Sequence, residues 1–240
     1  MRRLMPWLLL ALLPITACNA DQSTAPVAPQ TPSASLAADP PLQVAANSPA
    51  PLAVASADSE RYTVLPRPQP TQTPDKIEVV EIFMYTCPHC YAFEPAVNAW
   101  KKKLPADVAF LRVPASFGPT GPLLARSYYA AEALGVLDKM HPVIFDALHK
   151  QRRTLGTEEE MLKLFAENGI DPEAFRATLH SFAVDSKARR ARQLEVGYGV
   201  TGVPAMAVNG KYGIGIARLG EQGMLKVADE LIARERKAAQ

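Results

Sequence analysis

The spacing of apolar residues changes period along the chain, and each change marks an element. Ile77 to Tyr85 (IEVVEIFMY) is apolar on both faces and interrupted only by acids. Such a run suits a central strand covered on both sides. Phe93, Ala96, Val97, Trp100 and Leu104 then recur at helical spacing. Val108 to Val113 reads as a second strand, so strand, helix and strand form a βαβ unit with parallel pairing. From Pro119 to about Val196 no strand pattern appears. Leu123, Leu124, Tyr128 and Ala131 mark one helix, and Val136, Met140, Ile144 and Leu148 another. Thr157 with Glu160 is a capping box, and Asn168-Gly169 ends that helix. Asp171-Pro172 opens the next, and a further helix is predicted from about Asp185 to Glu195. Strands return at Ala205–Val208 and Tyr212–Ile216. Asn209-Gly210 between them is a hairpin signal. Met224, Val227, Ala228, Leu231 and Ile232 make a closing amphipathic helix.

Between the first strand and the first helix stands Cys87-Pro88-His89-Cys90. A Cys-x-x-Cys that follows a buried strand and opens a helix reads as a thioredoxin-like redox site. The first helical turn offers unpaired N–H groups and the positive end of the dipole, which favour a thiolate at Cys87. His89 adds positive charge or a hydrogen bond. Cys90, one turn in, is the more buried, resolving thiol. A stabilised thiolate is a good leaving group, which tips the disulfide toward being passed on. Three other readings compete. A zinc half-site needs a second ligand pair, and His141, His149 and His180 are scattered. A c-type haem needs histidine at position 91, which is Tyr. A structural disulfide across two residues is strained.

Composition divides the chain. Thirteen of the 22 prolines precede Lys76, whereas every glycine follows Phe117. No aromatic residue lies between Trp7 and Tyr62, and no Lys or Arg between Arg3 and Arg61. The first third is therefore a different material from the rest. Arg2 and Arg3, the apolar run Trp7–Leu13 and the small residues after it have the layout of a secretory signal, 1–17. It ends Ile15-Thr16-Ala17-Cys18, which resembles the lipobox of bacterial lipoproteins, with Cys18 the lipidated residue. Two or more acyl chains anchor stably. Residues 18–74 read as the lipidated cysteine plus a disordered Pro/Ala-rich tether. The formal charge of +2 is too small to argue for nucleic acid. Three cysteines exclude a disulfide-dense scaffold and a four-thiolate zinc site. They divide as one plus two.

CPHCYAFEP, KKKLP (Lys101 to Pro105) and GVPAMAVNGKY (Gly202 to Tyr212) resemble the DsbA family of bacterial periplasmic thiol oxidases, over about residues 75–240. The resemblance implies an α/β thioredoxin fold (βαβ…ββα) over 75–117 and 197–240, with an all-helical insertion at 118–196. It implies that Cys87, Pro88, His89 and Cys90 form the redox motif. Val203-Pro204 would be a cis-proline loop against the disulfide, able to pair with an extended substrate. Glu81 would be a buried acid beneath the cysteines. Its same-face neighbours Val79 and Phe83 are apolar, so its pKa should rise. Arg112 stands where the family has a lysine, and Glu94 where it has an acid. Thr86 replaces a large aromatic residue.

The expected function is donation of the Cys87–Cys90 disulfide to reduced, unfolded secreted proteins. Reoxidation would come from a DsbB-type quinone-linked membrane oxidase. The expected protein is a monomer, lipid-anchored in the periplasm, with no metal and no cofactor beyond the cysteine pair. An isomerase or reductase is the rival enzyme, although that isomerase family carries Thr before its cis-proline and this chain has Val203. A lipid-tethered peptide-binding chaperone is the rival from another class.

Overall fold

The strand predicted from Ile77 lies inside a five-stranded sheet in the computed structural model, which describes residues 60–239. The elements are β1 (Thr63–Val64), β2 (Ile77–Phe83), α1 (Pro88–Lys101), β3 (Val108–Pro114), α2 (Gly121–Ala133), α3 (Leu137–His149), α4 (Glu158–Glu167), α5 (Pro172–Leu179), α6 (Phe182–Gly197), β4 (Ala205–Val208), β5 (Tyr212–Gly215) and α7 (Ile216–Ala238). Sheet order is β1-β5-β4-β2-β3. The pair β2–β3 is parallel, and β4 and β5 add antiparallel. This is a thioredoxin fold with an all-helical insertion, α2 to α6, between β3 and β4.

The sheet is covered on both sides, as the apolar run of β2 requires. Val80 and Ile82 join the core of the helical block, with Tyr128, Met140, Phe145 and Phe165. Val79 joins a second core with Phe93 and Val97 of α1 and Val227 and Leu231 of α7. Local signals act where the sequence puts them. The Thr157 and Glu160 side chains cap α4 reciprocally, and Asp171 caps α5. Asn209 (φ 49) and Gly210 (φ 64) both turn left-handed in the three-residue connection that pairs Val208 of β4 with Tyr212 of β5. The helix expected from about Asp185 starts earlier, at Phe182, because Ser181 supplies its N-cap.

The expectation of a disordered tether as far as residue 74 does not hold for its last part, residues 60–74. Thr63 and Val64 pair with Gly213 and Tyr212 as an edge strand. Tyr62 and Leu65 are buried in the core. Beyond them, Gln69 N–H donates to the Gly210 carbonyl at 2.7 Å. The buried Glu78 carboxylate accepts from the backbone N–H groups of Gln72 at 2.6 Å and Thr73 at 3.1 Å. Backbone and carboxylate hydrogen bonds, rather than an apolar pattern, hold this proline-rich strap. Residues 1–59, with the expected signal, Cys18 and most of the tether, lie outside the described residues. No helix among the described residues is long and apolar enough to cross a membrane.

Candidate active site

The β2-to-α1 connection turns the chain so that Cys87 becomes the N-cap of α1, with Pro88 following. Cys87 N–H donates to the Met84 carbonyl at 3.0 Å, and the Cys87 carbonyl accepts from Tyr91 N–H at 3.1 Å. The two cysteines differ in access. Cys87 is 8% exposed and Cys90 0%. Both are free thiols here. Burial pushes the Cys90 thiol far up, against the Met84 N–H that donates to its sulfur at 3.5 Å. Pro88, His89 and Thr86 are exposed around them. The motif is one slightly exposed cysteine at a helix N-terminus and one fully sealed a turn further on.

Antiparallel pairing of β4 with β2, Ala205 opposite Ile82, brings the preceding loop alongside the motif. The Val203-Pro204 peptide is cis. The Cys87 thiol donates to the Val203 carbonyl at 3.5 Å. An open cavity of about 550 Å³ runs along this loop, lined by Leu65, Pro66, Val200 and Val203 among others.

Glu81 lies in the middle of β2 and is fully buried. Parallel register puts Arg112 opposite it, and Arg112 Nε donates to Glu81 Oε2 at 2.8 Å. The other carboxylate oxygen, Oε1, has no partner among the described residues. Burial raises the Glu81 pKa from 4.5 to about 7, with Arg112 pulling the other way. This is the buried acid that the sequence predicted, and its charge adds to the upward push on Cys90. Arginine stays protonated, so it holds Glu81 without exchanging protons.

Arg112 also grips Glu94 at 3.1 Å and Asn98 at 3.1 Å. Burial alone would raise the Glu94 carboxyl. His141, Arg112 and Asn98 outweigh it and hold Glu94 below the usual range. Burial pushes His141 down, against Glu94. A neutral His141 that donates from Nε2 to Glu94 at 3.2 Å accepts at Nδ1 from the Tyr85 hydroxyl at 2.9 Å. The chain Glu81–Arg112–Glu94–His141–Tyr85 thus joins β2, β3, α1 and α3. A cavity of about 320 Å³ borders Glu94, Arg112, His141 and Lys101.

Sequence reasoning missed His141, His149, Tyr85 and Asp146. The histidines read as scattered, yet His141, Phe145 and His149 stand four apart on one face of α3. That spacing is the signal that could have grouped them. It does not show that Tyr85 is what they face.

The pattern described by the family model for a DSBA-like thioredoxin domain matches residues 110–231. A curated thiol:disulfide interchange protein DsbA from Pseudomonas aeruginosa is 46% identical over 181 residues, 75% of this chain and 86% of the relative. One from Azotobacter vinelandii is 48% identical over 179 residues, 74% of this chain and 84% of the relative. The crystal structure of Pseudomonas aeruginosa DsbA superposes with a TM-score of 0.73 at 46% identity, covering 75% of this chain and 95% of that one. The oxidoreductase DsbA from Xylella fastidiosa gives a TM-score of 0.69 at 35% identity, over 74% of this chain and 96% of that one. Resemblance at these identities, over most of the length of the relatives, means that the chain belongs to the DsbA family of thiol:disulfide oxidoreductases.

Proposed function

We propose that this protein is a disulfide donor: Cys87 and Cys90, joined as a disulfide, oxidise reduced secreted proteins in the periplasm. The asymmetry of the two cysteines carries the reading, since Cys87 keeps a little exposure and Cys90 has none. A substrate thiolate attacks Cys87 Sγ, the Cys87–Cys90 bond breaks, and a mixed disulfide forms. Cys90 leaves as a thiolate and takes a proton, because burial disfavours its charge. Glu81, with a pKa of about 7, is matched to give that proton near neutral pH. A second substrate thiolate then attacks the substrate sulfur of the mixed disulfide and releases Cys87 as a thiolate at the N-terminus of α1. Two electrons pass from substrate to the cysteine pair, and no other cofactor is needed. Pro88 and His89 shape the exposed motif. The backbone at Val203 and Pro204 pairs with an extended substrate chain.

The reoxidising partner is a DsbB-type quinone-linked membrane oxidase, and the protein acts as a monomer. Equilibration with glutathione buffers measures the potential of the pair. A potential well above that of thioredoxin, with oxidation of a reduced peptide, is expected. A thioredoxin-like potential would make the protein a reductase instead.

Residues 1–17 are a lipoprotein signal and Cys18 carries the anchor, as the Ile15-Thr16-Ala17-Cys18 sequence supports. Cells fed radiolabelled palmitate should label the wild-type protein, and Cys18→Ser should leave the membrane fraction. An unlabelled wild-type protein that still fractionates with membranes would remove the anchor.

A further inference from the structure

Two tyrosines bracket the redox motif. Tyr85 lies two residues before Cys87, and Tyr91 directly follows Cys90. Helix α3 of the inserted block holds both. The Tyr85 hydroxyl donates to His141 Nδ1 at 2.9 Å, and its ring packs edge-on against Phe145 at 4.9 Å. The Tyr85 carbonyl accepts from His149 Nε2 at 2.8 Å. The Tyr91 ring lies flat on His149, 4.8 Å between centroids and 7° between planes. The Tyr91 hydroxyl donates to Asp146 at 2.8 Å. His149 therefore touches both flanks: its ring edge binds one tyrosine's backbone and its ring face stacks on the other.

We propose that α3 is a splint for the redox pair and that His149 is its positioning residue. The proposal rests on the reading of Cys87 and Cys90 as that pair. The clamped carbonyl belongs to a turn in which both backbone bonds of the preceding residue, Met84, go to a cysteine. Met84 N–H donates to Cys90 Sγ at 3.5 Å, and Cys87 N–H donates to the Met84 carbonyl at 3.0 Å. A donor aimed at a sulfur stabilises the reduced form, where charge and lone pairs are available, more than the disulfide. His149 does not touch either sulfur. It fixes the turn that presents the donor, and it does so from a helix packed by Phe145 and Ile144 in the core. The inserted domain thereby acts on the oxidising strength of a motif that belongs wholly to the thioredoxin part of the fold.

Three variants separate the contacts. His149→Phe keeps the stacked ring and loses the donor. His149→Gln keeps an N–H donor and loses the flat ring. His149→Ala loses both. The readouts are the equilibrium constant with glutathione and the thermal midpoints of the dithiol and disulfide forms, taken separately. Losing one oriented hydrogen bond should move the constant about three- to tenfold toward the disulfide in the Phe and Ala variants. The dithiol form should lose more thermal stability than the disulfide form, and Gln should restore the constant to within about twofold. A purely structural His149 would lower both midpoints together and leave the constant unmoved, which overturns the proposal. If His149→Ala does not fold, equal constants in the Phe and Gln variants overturn it. A wild-type pair that does not exchange with glutathione at all would sink the reading of the pair itself, a separate outcome.

Discussion

Given glutathione disulfide, the Cys90→Ser protein should take up one glutathione per chain and keep it, whereas Cys87→Ser should take up none. The reason is access. Cys87 caps α1 with part of its surface exposed, and Cys90 is sealed at 0%. Attack of the Cys87 thiolate on glutathione disulfide forms a mixed disulfide and expels glutathione thiolate. In the wild type Cys90 then attacks Cys87 sulfur and releases the second glutathione. Without Cys90 the adduct has no internal exit. Without Cys87 the remaining thiol is buried, and burial also holds it in its unreactive protonated form. Activity toward a reduced peptide should vanish in both variants, because neither forms the internal disulfide. Intact-protein mass spectrometry reads the adduct directly. A Cys87→Ser protein that acquires glutathione readily would reverse the assignment of the two sulfurs.

Stability of the wild-type protein should fall between pH 5 and pH 8 more steeply than that of Glu81→Gln. The Glu81 carboxyl is raised from 4.5 to about 7 by burial. Below the ordinary value it is protonated in both folded and unfolded chains and has no effect. Between the two values the unfolded chain releases the proton and the folded chain keeps it. The folded state then binds more protons, so stability drops as pH rises. Above about 7 the folded chain carries the buried charge in full. A shift from 4.5 to about 7, at about 1.4 kcal/mol per unit, makes the whole effect about 3 kcal/mol. Glutamine cannot ionise, so the variant lacks this slope. Arg112 keeps Glu94 as its ionic partner there. Urea unfolding of both dithiol proteins at the two pH values tests the difference, in which the other titrating groups cancel. Parallel pH dependences would mean that Glu81 is already ionised at pH 5. In the same variant, peptide oxidation near pH 7 should slow, because Cys90 loses its nearby proton source.

Much of this molecule is legible in the chain. The run from Ile77 to Tyr85, apolar on both faces apart from Glu78 and Glu81, reads as an interior strand, and Ile77–Phe83 of it is β2. Cys87 falls where the strand ends and the helical period starts, and it caps α1. Asn209-Gly210 makes the hairpin, and Thr157 with Glu160 starts α4. These are local effects: each depends on residues within one or two turns, so the sequence neighbourhood carries the whole cause. The strap before β2 was not legible. Tyr62, Val64 and Leu65 are too few to show a period, and what orders them is pairing with β5, far along the chain.

Sequence by itself determined the alternation of strands and helices, the place of the redox motif at a helix start, and the burial of Glu81 among apolar neighbours. These follow from hydrophobic period, capping and dipole, which act within a segment. Only the tertiary structure decided what each site residue meets. Arg112 reaches Glu81 because β2 and β3 align in parallel register. Val203 reaches Cys87 because β4 returns beside β2. His141 and His149 reach Tyr85, just past the end of β2, because α3 packs against α1 and α2. A hydrogen bond requires its partners within a few tenths of an ångström. Across 56 or 64 residues of chain, only the packing of complete elements sets a distance that finely.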